Sequence, residues 1–213
     1  MKLSWQAYRL PISIFMLLLF YAVGFWGFSG TDPMKFARLT WLHLLVTCFF
    51  VFFPVKNITR GEWMAMAGIA VLGYVVEVVG VLTAALFGDY HYGANLGYKM
   101  YDVPLVISIN WLVMVYVSYS AAALFFSHPL LIALLGAGIM TGMDFFIEPV
   151  AVKLDYWQWK DGIIPLQNYI AWFSFGFVFH MVMAKTFRPQ NNPAAWLLLI
   201  MQLIFFIYLN RIL

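Results

Sequence analysis

Charge is scarce in this chain: 10% of its 213 residues are Asp, Glu, Lys or Arg, against 64% hydrophobic ones. A soluble domain carries about a quarter charged residues, so the composition excludes a water-soluble globule and implies an integral membrane protein. Cysteine is almost missing. With Cys48 alone, neither an intrachain disulfide nor a thiolate metal site can be assembled. The histidines His43, His91, His128 and His180 stand far apart, with no H-x-x-H or H-x-x-x-H pair. That disfavours an iron-dependent membrane hydroxylase or desaturase, and no metal ligand is assigned. Basic runs are also lacking, and the net charge of +3 comes from thinly spread Lys and Arg, so nucleic acid is not an expected partner. A glycine fingerprint for a dinucleotide is absent too, and no cofactor is expected.

What the chain does have is long apolar runs. A membrane-spanning helix needs about 20 apolar residues, and seven candidates fall roughly at 11–29, 36–54, 63–87, 103–126, 129–150, 164–184 and 193–211. Turn-forming segments separate them, among them "SGTDP" (29–33), "PVKNITRGE" (54–62), "GDYHYGANLGYKMYDVP" (88–104) and "RPQNNP" (188–193). The first run has the basic flank of a signal peptide (Lys2, Arg9), but its apolar stretch is long and no A-x-A site follows, so it reads as a span. The expected fold is all-α: one polytopic bundle of about seven transmembrane helices, with residues 1–213 as a single domain. Gly138-x-x-x-Gly142 reads as a place where two helices approach closely.

Positive charge does not orient the bundle. Lys2, Arg9, Lys56, Arg60, Lys185 and Arg188 fall on the N-terminal face, and Lys35, Arg38, Lys99, Lys153, Lys160 and Arg211 on the other. Acids do distinguish the faces. Asp32, Asp89, Asp102, Asp155 and Asp161 all lie in loops opposite the N terminus, whereas Glu62 alone lies on the N-terminal face, and Glu62→Gln is expected to be nearly silent in turnover.

Three acids lie within apolar runs: Glu77, Asp144 and Glu148. Measured from the acidic face at 1.5 Å per residue, they stand roughly 15, 10 and 5 Å inside their helix ends, so they can converge in one half of the bilayer. Intramembrane acids are costly and mark sites or relays. Asp144 and Glu148 are four apart and share a helix face. Two neighbouring carboxyls in a low dielectric cannot both ionise cheaply, which leaves a proton at hand. Glu148 precedes Pro149, where the helix is expected to loosen, and a bond to a loop amide or to Lys153 would also account for it. The aromatics Tyr156, Trp157, Trp159 and Trp172 stand near these acids and the amide Asn168. Such a mixture suits the sheltering of a carbocation against π faces, although an interfacial belt accounts for the aromatics equally well. The last run contains no lysine, so a retinal Schiff base is ruled out.

The pattern "GYVVEVVG…FGDYHYG…VP…NW" (73–111), followed by "DFFIEPVAVKLDYWQWKDGIIPLQNYIAW" (144–172), resembles the membrane proteins of carotenoid biosynthesis that include the γ-carotene hydratase and the bisanhydrobacterioruberin hydratase. The resemblance implies cofactor-free addition of water across the terminal double bond of an acyclic carotenoid, giving a tertiary alcohol. Glu77 or Asp144 is then the proton donor, with Glu148, Asp89 and Asn168 positioning water. Tyr90, Trp111, Tyr156, Trp157, Trp159, Asn168 and Trp172 are the expected substrate-binding residues. The implied partners are the carotenoid in the bilayer and the membrane lipids, with other carotenoid enzymes or further copies of the chain as associates. The implied location is the bacterial inner membrane. A carotenoid cyclase using the same protonation, a proton-coupled transporter and a non-catalytic carotenoid-binding subunit remain as alternatives.

Overall fold

The computed structural model describes residues 5–188 and 191–213, so Lys2 lies outside the described residues. Eight α-helices follow one another: α1 (Arg9–Phe28), α2 (Pro33–Ala37), α3 (Thr40–Phe52), α4 (Arg60–Thr83), α5 (Val106–Ala122), α6 (Pro129–Lys153), α7 (Leu166–Thr186) and α8 (Pro193–Ile212). Their starts follow from local chemistry. Proline opens α2, α6 and α8, where its missing N–H costs nothing. Thr59 and Glu62 form a reciprocal capping box at the start of α4. The fold is all-α. Among the described residues, α1, α4, α6 and α8 are long and apolar enough to cross a membrane, whereas α3 and α5 are apolar but shorter. α7 has 21 residues but carries Gln167, Asn168, His180 and Lys185. Large side chains left exposed on the long helices, such as Phe15, Trp26, Leu82 and Phe145, fit a membrane protein whose solvent there is lipid.

α5 is the hub. Nearly its whole length is buried, and α3, α4, α6, α7 and α8 pack against it. A helix that is apolar all round belongs at such a centre. α6 and α7 form the most extensive pair, and the close approach runs through Gly136 rather than through the expected glycine pair. A methyl group at Gly136 would stand 2.2 Å from the His180 ring, while one at Gly138 or Gly142 would meet nothing within 4 Å. The Gly138-x-x-x-Gly142 stripe therefore faces outward. The stretch from Gly136 to Gly142 carries no charge, so nothing within it says which of its glycines meets protein.

Two further expectations are corrected. α6 does not loosen at Pro149 but continues to Lys153. α4 ends at Thr83, four residues earlier than expected, with Ala84 in the left-handed conformation (φ 55°) as its cap. Glu77 thus lies six residues, or about 9 Å, inside its helix end.

The loops on the acidic face carry short strands that no apolar run announces. β1 (Tyr90–Tyr92), β2 (Lys99–Met100), β3 (Val103–Pro104) and β4 (Trp157–Trp159) form two antiparallel pairs, β1 with β4 and β2 with β3. In the first pair Tyr90 stands opposite Trp159 and Tyr92 opposite Trp157. Lys160 N donates to the Asp89 carbonyl at 2.9 Å, and Gly93 N to that of Tyr156 at 2.9 Å, extending the pairing on both sides.

Glu62 also makes a structural tie that the sequence does not announce. It is 1% exposed. One carboxylate oxygen accepts Thr59 N at 2.7 Å and the other accepts Arg188 N at 3.1 Å, tying the start of α4 to the end of α7. Glutamine offers one acceptor oxygen where two are needed, and its amide would face an N–H. Glu62→Gln is therefore expected to lower stability by about 1–3 kcal/mol, the cost of one buried group left unpaired. Unfolding of the purified variant in detergent checks this; wild-type stability would show the tie to be idle.

Candidate active site

Glu77, Asp144 and Glu148 are 4%, 1% and 1% exposed, and each is met by donors from other elements. Glu77 lies on α4 between Gly73 and Gly80, and these glycines are what let large rings reach it. A methyl group at Gly73 would stand 2.6 Å from the Trp111 side chain, and one at Gly80 would stand 2.6 Å from Phe87 and 3.3 Å from the Tyr90 hydroxyl. Through these gaps Trp111 Nε1 donates to Glu77 Oε1 at 3.0 Å, and the hydroxyls of Tyr90 and Tyr92 donate to Oε2 at 2.5 and 2.8 Å.

Glu148, on α6, is held in the same way by the other loop. Trp157 Nε1 and Trp159 Nε1 donate to its Oε2 at 2.9 and 2.7 Å, while Asn168 Nδ2 donates to Oε1 at 2.9 Å. The same Asn168 nitrogen donates to Asp144 Oδ2 at 2.9 Å, so one amide bridges the two acids of α6. Asn168 has two N–H bonds, enough for both. It is the single donor to Asp144 among the described residues.

β1 and β4 explain how the donors converge. In a strand alternate side chains share a face, so Tyr90 and Tyr92 on β1, and Trp157 and Trp159 on β4, all turn inward together. The Tyr90 and Trp159 rings lie 5.0 Å apart. Burial pushes both phenols well above their ordinary range, and the Glu77 carboxyl beside them pushes further in the same direction. They remain neutral hydrogen-bond donors. Trp111 stacks on Trp172 with centroids 4.5 Å apart and planes 10° from parallel.

Between these groups lies a cavity of about 20 Å³, lined by Glu77, Phe87, Tyr90, Tyr92, Ile107, Asn110, Glu148, Trp157, Trp159, Asn168 and Trp172. A water needs roughly 10–15 Å³ of such space. The cavity therefore fits one water among carboxyl, phenol, indole and amide groups.

Most of the residues singled out in the sequence meet here, but four do not line the cavity. Asp144 stands behind Asn168, and Trp111 behind Glu77. Asp89 is outside the cluster altogether: it is exposed, and its carboxylate pairs with Lys160 Nζ at 2.9 Å. The alternation that turns Tyr90 inward turns Asp89 outward, so it positions no water in this cavity. Tyr156 faces away for the same reason, and its hydroxyl meets Thr40 Oγ1 at 2.5 Å in a different part of the bundle. Tyr92 and Asn110 are the polar groups that sequence reasoning missed. The Y-x-Y spacing of "DYHY" carried the signal for Tyr92; Asn110 carried none beyond its position beside Trp111.

The family profile described as "Carotenoid biosynthesis protein" matches residues 39–213. The chain belongs to this family. Among curated proteins it is similar to the bisanhydrobacterioruberin hydratase of Haloarcula japonica, with 27% identity over 139 residues. The match takes in 59% of this chain and 45% of that protein, so the chain spans less than half the length of its curated relative. No solved structure matches it.

Asn168 is the joint of the site. Asn168→Leu leaves Asp144 without a donor and Glu148 short of one, and is expected to lower stability by about 1–3 kcal/mol per affected group. Asp89→Asn, at the surface, is expected to change it by less than about 0.5 kcal/mol. Thermal unfolding of both proteins in one detergent provides the comparison; equal effects would show that the bridge carries no weight.

Proposed function

We propose that this chain is a carotenoid hydratase that adds water across the terminal double bond of an acyclic carotenoid by acid catalysis, without a cofactor. The observation that carries this reading is the pair of carboxyls, Glu77 and Glu148, facing one cavity that fits a single water. Membership of the carotenoid biosynthesis family and similarity to a protein named as a hydratase support it.

In this reading Glu77 gives its proton to the alkene carbon, and a tertiary cation forms on the neighbouring carbon. The π faces of Trp159, Trp172 and Tyr90 shelter that cation. Water held at Glu148 and Asn168 attacks it, a C–O bond forms, and the proton that water sheds passes to Glu148. Transfer of that proton back to Glu77 resets the site, so the sum is alkene plus water giving alcohol. The phenols of Tyr90 and Tyr92 and the indole of Trp111 stabilise the Glu77 carboxylate left after donation. Asp144 acts at one remove, by holding Asn168. The substrate enters from the bilayer, with α3, α5 and α7 completing seven crossings of a bacterial inner membrane.

A cyclase would share the protonation but quench the cation with a neighbouring double bond. The water-sized cavity beside Glu148 favours hydration over that alternative.

Expression in a host that accumulates lycopene separates the two. The expected product is heavier by one water per converted end, and in heavy-oxygen water the added oxygen is the solvent's, with or without dioxygen. An isobaric product would mean cyclisation, and an oxygen drawn from dioxygen would remove the acid mechanism. Glu77→Gln and Glu148→Gln are each expected to reduce turnover by at least about a hundredfold, the contribution of a positioned acid or base. Asp89→Asn is expected to keep near-normal turnover.

A further inference from the structure

The hydrogen-bond donors around the acid cavity are nearly all committed. Tyr90 and Tyr92 spend their hydroxyls on Glu77 Oε2, and Trp157 and Trp159 spend their indoles on Glu148 Oε2. Asn168 gives one N–H to Asp144 and the other to Glu148 Oε1, so its oxygen alone is left for the cavity. A carboxylate has about four lone-pair positions. Donors fill three of those on Glu148, and the fourth, on Oε1, stays open. Acceptors are thus available to a water, but these five residues have no donor left for it.

Asn110 differs from all of them. It lines the same cavity yet makes no hydrogen bond among the described residues. It is the one amide of α5, and an amide in an apolar helix is costly unless it finds a partner. Ile107 and Asn110 are what α5 gives to the wall, three positions apart and so on one side of the helix. Trp172 is the other wall residue with an N–H to consider, but its ring is set flat on Trp111 and it can only donate. The Asn110 amide can donate and accept.

We propose that Asn110 holds the water of this site and, by holding it, decides what becomes of the cation; the second half rests on the hydratase reading. The water gives its hydrogens to Glu148 Oε1 and Asn168 Oδ1 and accepts from Asn110 Nδ2, about three contacts, the usual number for a buried water. One lone pair remains, and it forms the C–O bond. Without Asn110 the water turns or leaves, and the cation takes another exit. A methyl group beside the cationic carbon gives a proton to Glu148, and the C–H electron pair becomes a new double bond. One proton enters and one departs, so the hydrocarbon is isomerised and no water is consumed.

The test follows both exits at once. The full chain in phosphatidylcholine nanodiscs acts on lycopene in heavy water, and chromatography with mass spectrometry separates the alcohol from acyclic hydrocarbon that has taken up deuterium. Asn110→Leu is expected to lower the ratio of alcohol to deuterated hydrocarbon by at least about tenfold while deuterium still enters. Asn110→Ala, which leaves room for a second water where the amide stood, is expected to lower it less. Glu77→Gln is expected to close both exits. Both Asn110 variants are expected to melt with the parent, since neither strands a partner. A structure fine enough to show water gives a measure that needs no turnover: one water within hydrogen-bond reach of Asn110 and Glu148, lost in Asn110→Leu.

The proposal is overturned if no water bridges those two residues, if both variants keep the parental ratio, or if alcohol and deuterium uptake fall together, as damage to the fold would require. An unchanged ratio would pass the role to Trp172. The two readings fail separately. A chain that holds the bridging water but adds none to lycopene keeps the water site and loses the reaction. A chain that hydrates lycopene as well with Asn110→Leu keeps the reaction and loses this role for Asn110.

Discussion

Everything at the acidic end of this bundle depends on keeping carboxyls out of water. An acid moved from water into an apolar interior loses its hydration, and only donors aimed at its oxygens can replace it. Two of the three acids meet that demand with three donors each. Trp111, Tyr90 and Tyr92 serve Glu77, while Trp157, Trp159 and Asn168 serve Glu148. The donors are indoles, phenols and an amide, with no cation among them. A lysine or arginine would have neutralised the acids outright; neutral donors satisfy the oxygens and leave the chemistry of a carboxyl in place. The small glycines at 73 and 80 belong to the same requirement, since a methyl group at either would push a donor ring away.

The donors arrive from loops, and this ties the surface of the protein to its interior. β1 and β4 are three residues each and lie far apart in the chain, yet their pairing sets four aromatic side chains around two acids on different helices. The Lys160–Asp89 pair closes the outer face of that ribbon while the inner face carries the site. The space left inside, about 20 Å³, holds little more than one water. The ribbon thus covers the cluster, and the acids stand on the helices beneath it.

Helix positions were legible in the sequence because long apolar runs leave few alternatives, and the three acids were legible because charge in such runs is rare. Helix faces were not. The stretch 136–142 of α6 carries no charge, so nothing within it separates outward Gly138 and Gly142 from buried Gly136. The strands were invisible because three residues carry too little periodicity to register, and their pairing is a long-range event. Once β1 is known, its alternation accounts for both a missed residue and a misplaced one: Tyr92 joins Tyr90 inside, and Asp89 goes out. The same logic moves Tyr156 away from Trp157 and Trp159. The tie made by Glu62 was illegible for a different reason: its second partner, Arg188 N, lies 126 positions further along the chain.

The central claim is that a carboxyl of the cluster, held at a fixed place, delivers a proton to one face of a double bond. Reaction of the purified protein with lycopene in heavy water reads this directly. The account predicts one deuterium per hydrated end, on the carbon next to the new alcohol and in a single configuration. Product lacking solvent deuterium, or labelled equally on both faces of that carbon, would contradict it.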